Sequence, residues 1–314
     1  MHLQFRNLAV MTILLATTVI ACTKNNASED DKSSDLFSEL TVQSKDQVDV
    51  SGEVDAVTND ANLAVENYSA ISGGKFLGVL GTICDATVTV DSASNPRKVT
   101  ITYNGTNCIG NRKRTGTVIL TMPATKRWKE PGTVITVTYQ NLKVTRVADN
   151  KSITLNGTHV LTNVSGGLLL GLPARTSITH TITSNDMSIT FDDGTQRTWQ
   201  VARQRVYTYN NGIVVTITGT HTEGSKTGIA EWGTTRGGQP FTTSITQPLV
   251  IRQDCLFRLT AGQVQHEQHG TTATTTFGLN ADGVATGCPG SGTYYCKLEW
   301  KGLNNNVRSV VVAY

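Results

Sequence analysis

From residue 83 onward, apolar side chains recur at every second position, and a period of two commits a chain to strands with one buried face. Val, Ile, Leu or Tyr alternate with Thr, Ser, Lys or Arg over residues 83–90, 98–104, 115–122, 133–148, 152–164, 176–191, 196–209, 213–220 and 242–251. The pairs Asn104-Gly105, Asn156-Gly157, Asp193-Gly194, Asn211-Gly212 and Asp282-Gly283 favour the positive backbone angles of tight hairpin turns. Strands joined in this way are antiparallel. No stretch after residue 70 reads as a helix long enough for a βαβ crossover, which excludes a parallel α/β fold. The expected class is therefore all-β, with antiparallel sheets in a sandwich or an elongated curled sheet.

Composition refines that expectation. Thr occurs 49 times and fills the polar positions of most strands, where a β-branched hydroxyl suits a solvated pleated surface. With 38% hydrophobic and 6% aromatic residues, the inner face is thin and rich in Val and Ile. A sandwich or curled sheet fits this better than a barrel around a wide cavity. One short N-terminal helix is expected over residues 51–70, where Val54, Val57, Ala61 and Val65 recur at three- and four-residue spacing behind Ser51 as N-cap. Residues 71–314 then form a single β domain.

Residues 22–50 read differently. They are rich in Ser, Asn, Asp and Lys, which predicts an acidic disordered tether. Charge divides accordingly: residues 23–70 hold three Lys or Arg against eleven Asp or Glu, and residues 71–314 hold 23 against 13, a body of +10. Ahead of the tether, Arg6 precedes an apolar run from Leu8 to Ile20, and Ala21 stands before Cys22. That run is too short for a comfortable membrane span and has the form of an export signal over residues 1–21. Val19-Ile20-Ala21-Cys22 resembles the lipobox of bacterial lipoproteins, which implies lipidation at Cys22 and an address in the cell envelope, anchored in the outer membrane. Ser28-Glu29-Asp30-Asp31 is similar to acidic surface-export signals but lies farther from the Cys, so the surface and periplasmic faces both remain open.

The other cysteines suit an oxidising compartment. Cys84 and Cys108 flank the turn at residues 91–97, and a hairpin there brings them together; a bridge closing that loop contributes about 3 kcal/mol. Among Cys255, Cys288 and Cys296, the favoured pair is Cys255 with Cys288. No C-x-x-C spacing supports a zinc site, and no metal or cofactor is expected.

Catalytic signals are sparse. There is no G-x-S-x-G, P-loop or dinucleotide fingerprint. His266 and His269 are three apart, which on a strand sends them to opposite faces; His159, His180 and His221 stand alone among Thr-rich strands. Glu130, Glu223, Glu231 and Glu267 are the carboxylates from which a glycosidase pair would be drawn. The strongest hint of a ligand is basic: Arg112-Lys113-Arg114 and Lys126-Arg127-Trp128-Lys129 are read as loops able to attract a polyanion, with Trp128 available for stacking. Arg203 and Arg205 alternate on one strand face, with Arg197 nearby.

Residues 110–120, from Gly110-Asn111-Arg112 to Val118-Ile119-Leu120, then Pro131-Gly132-Thr133-Val134-Ile135-Thr136-Val137 and Leu155-Asn156-Gly157-Thr158 with Val164-Ser165-Gly166, are similar to uncharacterised Bacteroidota lipoproteins. Trp199 and Pro248-Leu249-Val250 carry the same likeness. The resemblance implies an all-β envelope lipoprotein and supplies no activity; it also makes Asp91-Ser92-Ala93 resemble a periplasmic O-glycosylation site. The expected function is that of a non-enzymatic structural or binding protein of the cell envelope, with an acidic glycan or lipopolysaccharide as candidate ligand and no specific nucleic acid. The alternative is a glycan-acting hydrolase.

Overall fold

The computed structural model describes residues 29–74, 81–268, 270–288, 292–301 and 307–314. The alternation becomes strands: β1 (Ala86–Asp91), β2 (Arg97–Thr106), β3 (Arg112–Met122), β4 (Thr133–Arg146), β5 (Ser152–Asn163), β6 (Ile178–Phe191), β7 (Gln196–Tyr209), β8 (Ile213–Gly219), β9 (His221–Glu223), β10 (Lys226–Thr234), β11 (Pro240–Arg252), β12 (Arg258–Gln268), β13 (Thr271–Leu279), β14 (Tyr295–Lys301) and β15 (Val307–Ala313). All join one antiparallel sheet, in which β1 to β7 and β10 to β15 follow chain order. Between the long strands β7 and β11, two shorter ones share a single place. β8 pairs with residues 203–209 of β7 and 249–252 of β11, while β10 pairs with residues 198–201 and 240–244. The chain thus fills one strand position from both ends before the meander resumes.

The sheet curls around a helix. α1 spans Glu29–Glu66, 38 residues and so about 57 Å at 1.5 Å per residue. Between Gln43 and Glu66 only Lys45 and Gly52 are exposed. Most of the helix surface is therefore covered over this length, the least buried stripe being Lys45, Asp49, Gly52, Ala56, Asn59 and Leu63. Strands distant in the sheet meet the same turn of it: Asp49 accepts from Arg146 of β4 at 2.6 Å, while Val48 packs with Val312 and Tyr314 at the other end of the sheet. Val50, Val54, Val57, Ala61, Ala64 and Val65 supply the apolar stripe, against Val99, Ile101, Val118, Leu120, Val137 and Leu155 of the sheet. A short helix α2 (Ser69–Ser72) follows.

Two expectations are corrected here. The helix begins at least 22 residues before Ser51, which lies in its interior, and residues 29–50 are helix rather than tether. Composition signals disorder where acids have no partner; here Asp49 meets Arg146 of β4 and Asp46 meets Arg236 of the turn after β10. The single sheet also replaces the sandwich alternative, leaving the curled sheet. Of the five Gly-containing pairs, those at 193–194, 211–212 and 282–283 lie at turns between strands, but Asn104-Gly105 and Asn156-Gly157 lie inside β2 and β5. Gly157 has φ +118°, and a Cβ there would stand 2.6 Å from the Asp186 carbonyl oxygen. Its positive angle serves an irregularity in the β5–β6 register, one that bends a strand and increases its twist. Gly116 does the same against Asn141, with φ +115° and a contact of 2.3 Å.

Cys84–Cys108 and Cys255–Cys288 are both disulfide-bonded, with Cα atoms 5.2 and 5.4 Å apart, and Cys296 is a buried free thiol. The first ties the segment before β1 to the loop after β2; the second ties the turn after β11 to the segment leading into β14.

Candidate functional site

The two basic sequences do not form one patch. Arg112, Lys113 and Arg114 open β3 rather than a loop, so their side chains alternate between faces. Arg112 turns inward to Glu53 at 2.5 Å. Arg114 is buried and forms a bidentate pair with Asp85, at 2.6 Å on each bond, and meets Asp60 at 2.8 Å. Only Lys113 points to solvent. Lys126, Arg127, Trp128 and Lys129 follow the far end of β3, whose 11 residues span about 36 Å. Trp128 is fully buried, edge-on to His180 at 5.0 Å between centroids, and is therefore no platform for a sugar ring. Of the seven candidate polyanion residues, Lys113 is isolated; Lys126, Arg127 and Lys129 remain at one loop, with Lys126 beside Glu130 at 4.0 Å.

The chemistry concentrates inside, between α1 and the sheet. β7 sends Arg197, Trp199, Val201, Arg203, Arg205 and Tyr207 to its inner face, all buried. Arg205 donates to Asp55; Arg203 donates to Glu231, to Ser51 Oγ at 3.1 Å and to Asp55 at 3.4 Å. Gln47 links Arg197 to Glu231, accepting from the first and donating to the second. Arg236 makes a bidentate pair with Asp46 at 2.7 and 2.6 Å, and Tyr103 donates to Asp60 at 2.9 Å. Acids on one helix thus meet cations from β3, β4, β7 and the turn after β10. Each pair is costly to assemble from water and far costlier to leave half made, so this ladder fixes the register of the helix in the sheet.

Burial sets the titration of this interior. It holds the Arg197 guanidinium down to about 10, against the raising effect of Glu231 and Asp46. It pushes His159, His180 and His266 down to about 3, reinforced by the charges of neighbouring arginines. His159 meets Tyr139 Oη at 3.3 Å and His266 meets Thr243 Oγ1 at 3.1 Å through their Nδ1 atoms. Glu66, at the end of α1, accepts the backbone N–H groups of Leu169 and Leu170 at 2.9 and 3.3 Å, yet desolvation still raises it to about 7. The sequence reading placed Arg203 and Arg205 on one strand face, with Arg197 nearby, among the basic clusters that hint at a ligand; their alternation with Trp199, Val201 and Tyr207 marks that face as the inner one.

The glycosidase carboxylates are dispersed. Glu231 is buried and engaged by Arg203, whereas Glu267 lies on the outer face of β12 with Lys226 at 2.6 Å. Glu130 is in the loop after β3, and Glu223 is exposed in β9. Asp254, Cys255 and Cys288 come together, but both sulfurs are consumed in their disulfide. Ser92, in the sequence resembling a glycosylation site, is exposed at the β1–β2 hairpin. Cys22 and the export signal lie outside the described residues. No protein-family model, curated protein or solved structure matches the chain.

Proposed function

We propose that this chain is an outer-membrane lipoprotein of the cell envelope, related to the Bacteroidota group it resembles, whose β body is a non-enzymatic structural or binding module. The lipoprotein part of this reading rests on Val19-Ile20-Ala21-Cys22, and the structural part on the burial of α1 between Gln43 and Glu66. Six residues, 23–28, separate Cys22 from the start of α1, and the enclosed part of the helix begins 14 residues later, at Gln43. Fully extended, six residues reach about 22 Å. A lipid on Cys22 would therefore hold the start of α1 within about that distance of the membrane. The use of Arg112, Arg114, Arg203 and Arg205 in pairs with acids of α1, and of Glu231 in pairs with β7, favours a structural role over catalysis for these residues.

An acidic envelope glycan or lipopolysaccharide remains the proposed ligand, recognised by Lys126, Arg127 and Lys129. The anchoring test is Cys22→Ser, which should move the protein from the membrane fraction to the soluble periplasmic fraction and abolish labelling with a fatty-acid analogue. Unchanged membrane association would overturn the lipoprotein reading.

A further inference from the structure

Of the four tryptophans, Trp128, Trp199 and Trp300 are fully buried, whereas Trp232 of β10 is partly exposed. Its indole is held by His221 of β9, the two rings stacked with centroids 4.1 Å apart and planes 17° apart. Strand pairing sets Trp232 between Gln200 of β7 and Thr242 of β11, and extends the same row through Glu267 of β12 to Thr272 of β13. The sequence neighbours Val201, Glu231, Thr243, His266 and Ala273 are buried on the inner face, so by alternation the five residues of the row point outward. All five are partly exposed. The row crosses five strands, about 19 Å at the usual strand spacing. Lys226 Nζ meets Glu267 at 2.6 Å, which neutralises the one charge in it.

We propose that this row is a platform for a neutral, linear glycan, with one pyranose ring packed on the stack of Trp232 and His221 and its hydroxyls met by Gln200, Thr242 and Glu267. A pyranose carries C–H groups on its faces and hydroxyls around its edge. The stack offers the C–H groups a π-surface already fixed in orientation, so little side-chain freedom is lost on binding. The carboxamide, hydroxyl and carboxylate in line with it donate and accept, as the ring hydroxyls require. An open row, unlike a closed pocket, admits a chain that continues in both directions. The pairing of Lys226 with Glu267 leaves no free cation in the row for a phosphate or sulfate, which disfavours a nucleic acid or an acidic polymer here. The site is separate from the loop at Lys126, Arg127 and Lys129, and it does not depend on the lipoprotein reading.

The probes are cellohexaose, mannohexaose and maltohexaose, titrated into the purified protein and followed by calorimetry and by acrylamide quenching of tryptophan emission. Quenching reports mainly on Trp232, because the other three indoles are buried. At least one probe should bind saturably, protect the emission from acrylamide and keep its affinity as salt is raised. Trp232→Ala should weaken that binding about 10-fold or more, as for an aromatic anchor, and Trp232→Phe should restore part of it. Gln200→Ala, beside the ring, should cost about 3- to 10-fold, the loss of one hydrogen bond. No saturable binding by any of the three glycans would overturn the platform. Affinity unaltered by Trp232→Ala or by Gln200→Ala would overturn it equally, and Gln200→Ala keeps the test decisive should the Trp232 variants fail to fold. Protection by single-stranded oligothymidylate and by none of the glycans would mean that a base stacks there, and would also overturn it.

Discussion

Glu231→Gln tests the ion-pair ladder at its most enclosed point. The substitution preserves shape, so no cavity opens, and it removes only the charge that compensates Arg203 and Arg197. The three side chains are 1%, 4% and 0% exposed. Taking away one partner of a buried pair costs about 3–5 kcal/mol, because the other charge remains buried without compensation. Asp55 still reaches Arg203 at 3.4 Å, which places the loss toward the lower end. At about 2–4 °C per kcal/mol for a domain of this size, the unfolding temperature should fall by roughly 6–20 °C. Urea unfolding of both proteins gives the free-energy difference directly. Lys226→Gln, which breaks an outer pair 48% and 30% exposed, should cost no more than about 1 kcal/mol. Combining Glu231→Gln with Arg203→Gln should destabilise less than the sum of the two, by about 0.5–3 kcal/mol. A loss for Glu231→Gln no larger than that for Lys226→Gln would refute the reading that the buried pairs joining β7 to β10 carry more stability than the outer ones.

Three further outcomes follow from the same structure. Denatured without reductant, the mature chain with Cys22 acylated should show one free thiol, Cys296; three or five would remove one or both disulfides. Glu66, raised to about 7 in the folded protein, binds its proton more tightly there than in the unfolded chain, so its contribution falls as pH rises from about 4.5 to 7. Glu66→Gln should therefore become less destabilising, relative to the parent, between pH 5 and pH 8, and a constant difference in urea midpoint across that range would contradict the assignment. Replacing Lys126, Arg127 and Lys129 by Gln should lower heparin or lipopolysaccharide affinity and flatten its salt dependence, whereas Arg112→Gln should act on stability through Glu53. Parent protein without salt-sensitive binding would remove the polyanion ligand.

The strands were legible because alternation is a local signal and nine runs carried it strongly. β10 and β12 to β15 were harder to read. Glycines at 228, 233, 262 and 278 interrupt them, and His266 and Gln268 dilute the inner face of β12. The early part of α1 was illegible for a different reason: Asp46, Asp49 and Glu53 are solvating residues unless an arginine stands opposite, and Arg236, Arg146 and Arg112 lie 190, 97 and 59 residues away. The same separation hid the candidate site. Arg112 and Arg114 look like a basic loop until β3 is seen to direct them inward, and Trp128 looks like a stacking residue until the loop folds it against His180. The Cys84–Cys108 pairing was readable from the hairpin between them, whereas Cys255–Cys288, 33 residues apart across β12 and β13, was only the favoured choice among three cysteines.

The most direct test of the account is the mass and N-terminal chemistry of the mature protein from its native membrane. A chain beginning at Cys22, with a diacylglyceryl group on its sulfur and an acyl group on its amine, is the predicted result; a mature N-terminus at any other residue, or an unmodified Cys22, would contradict the proposed anchor and with it the role of α1 as the link between membrane and β body.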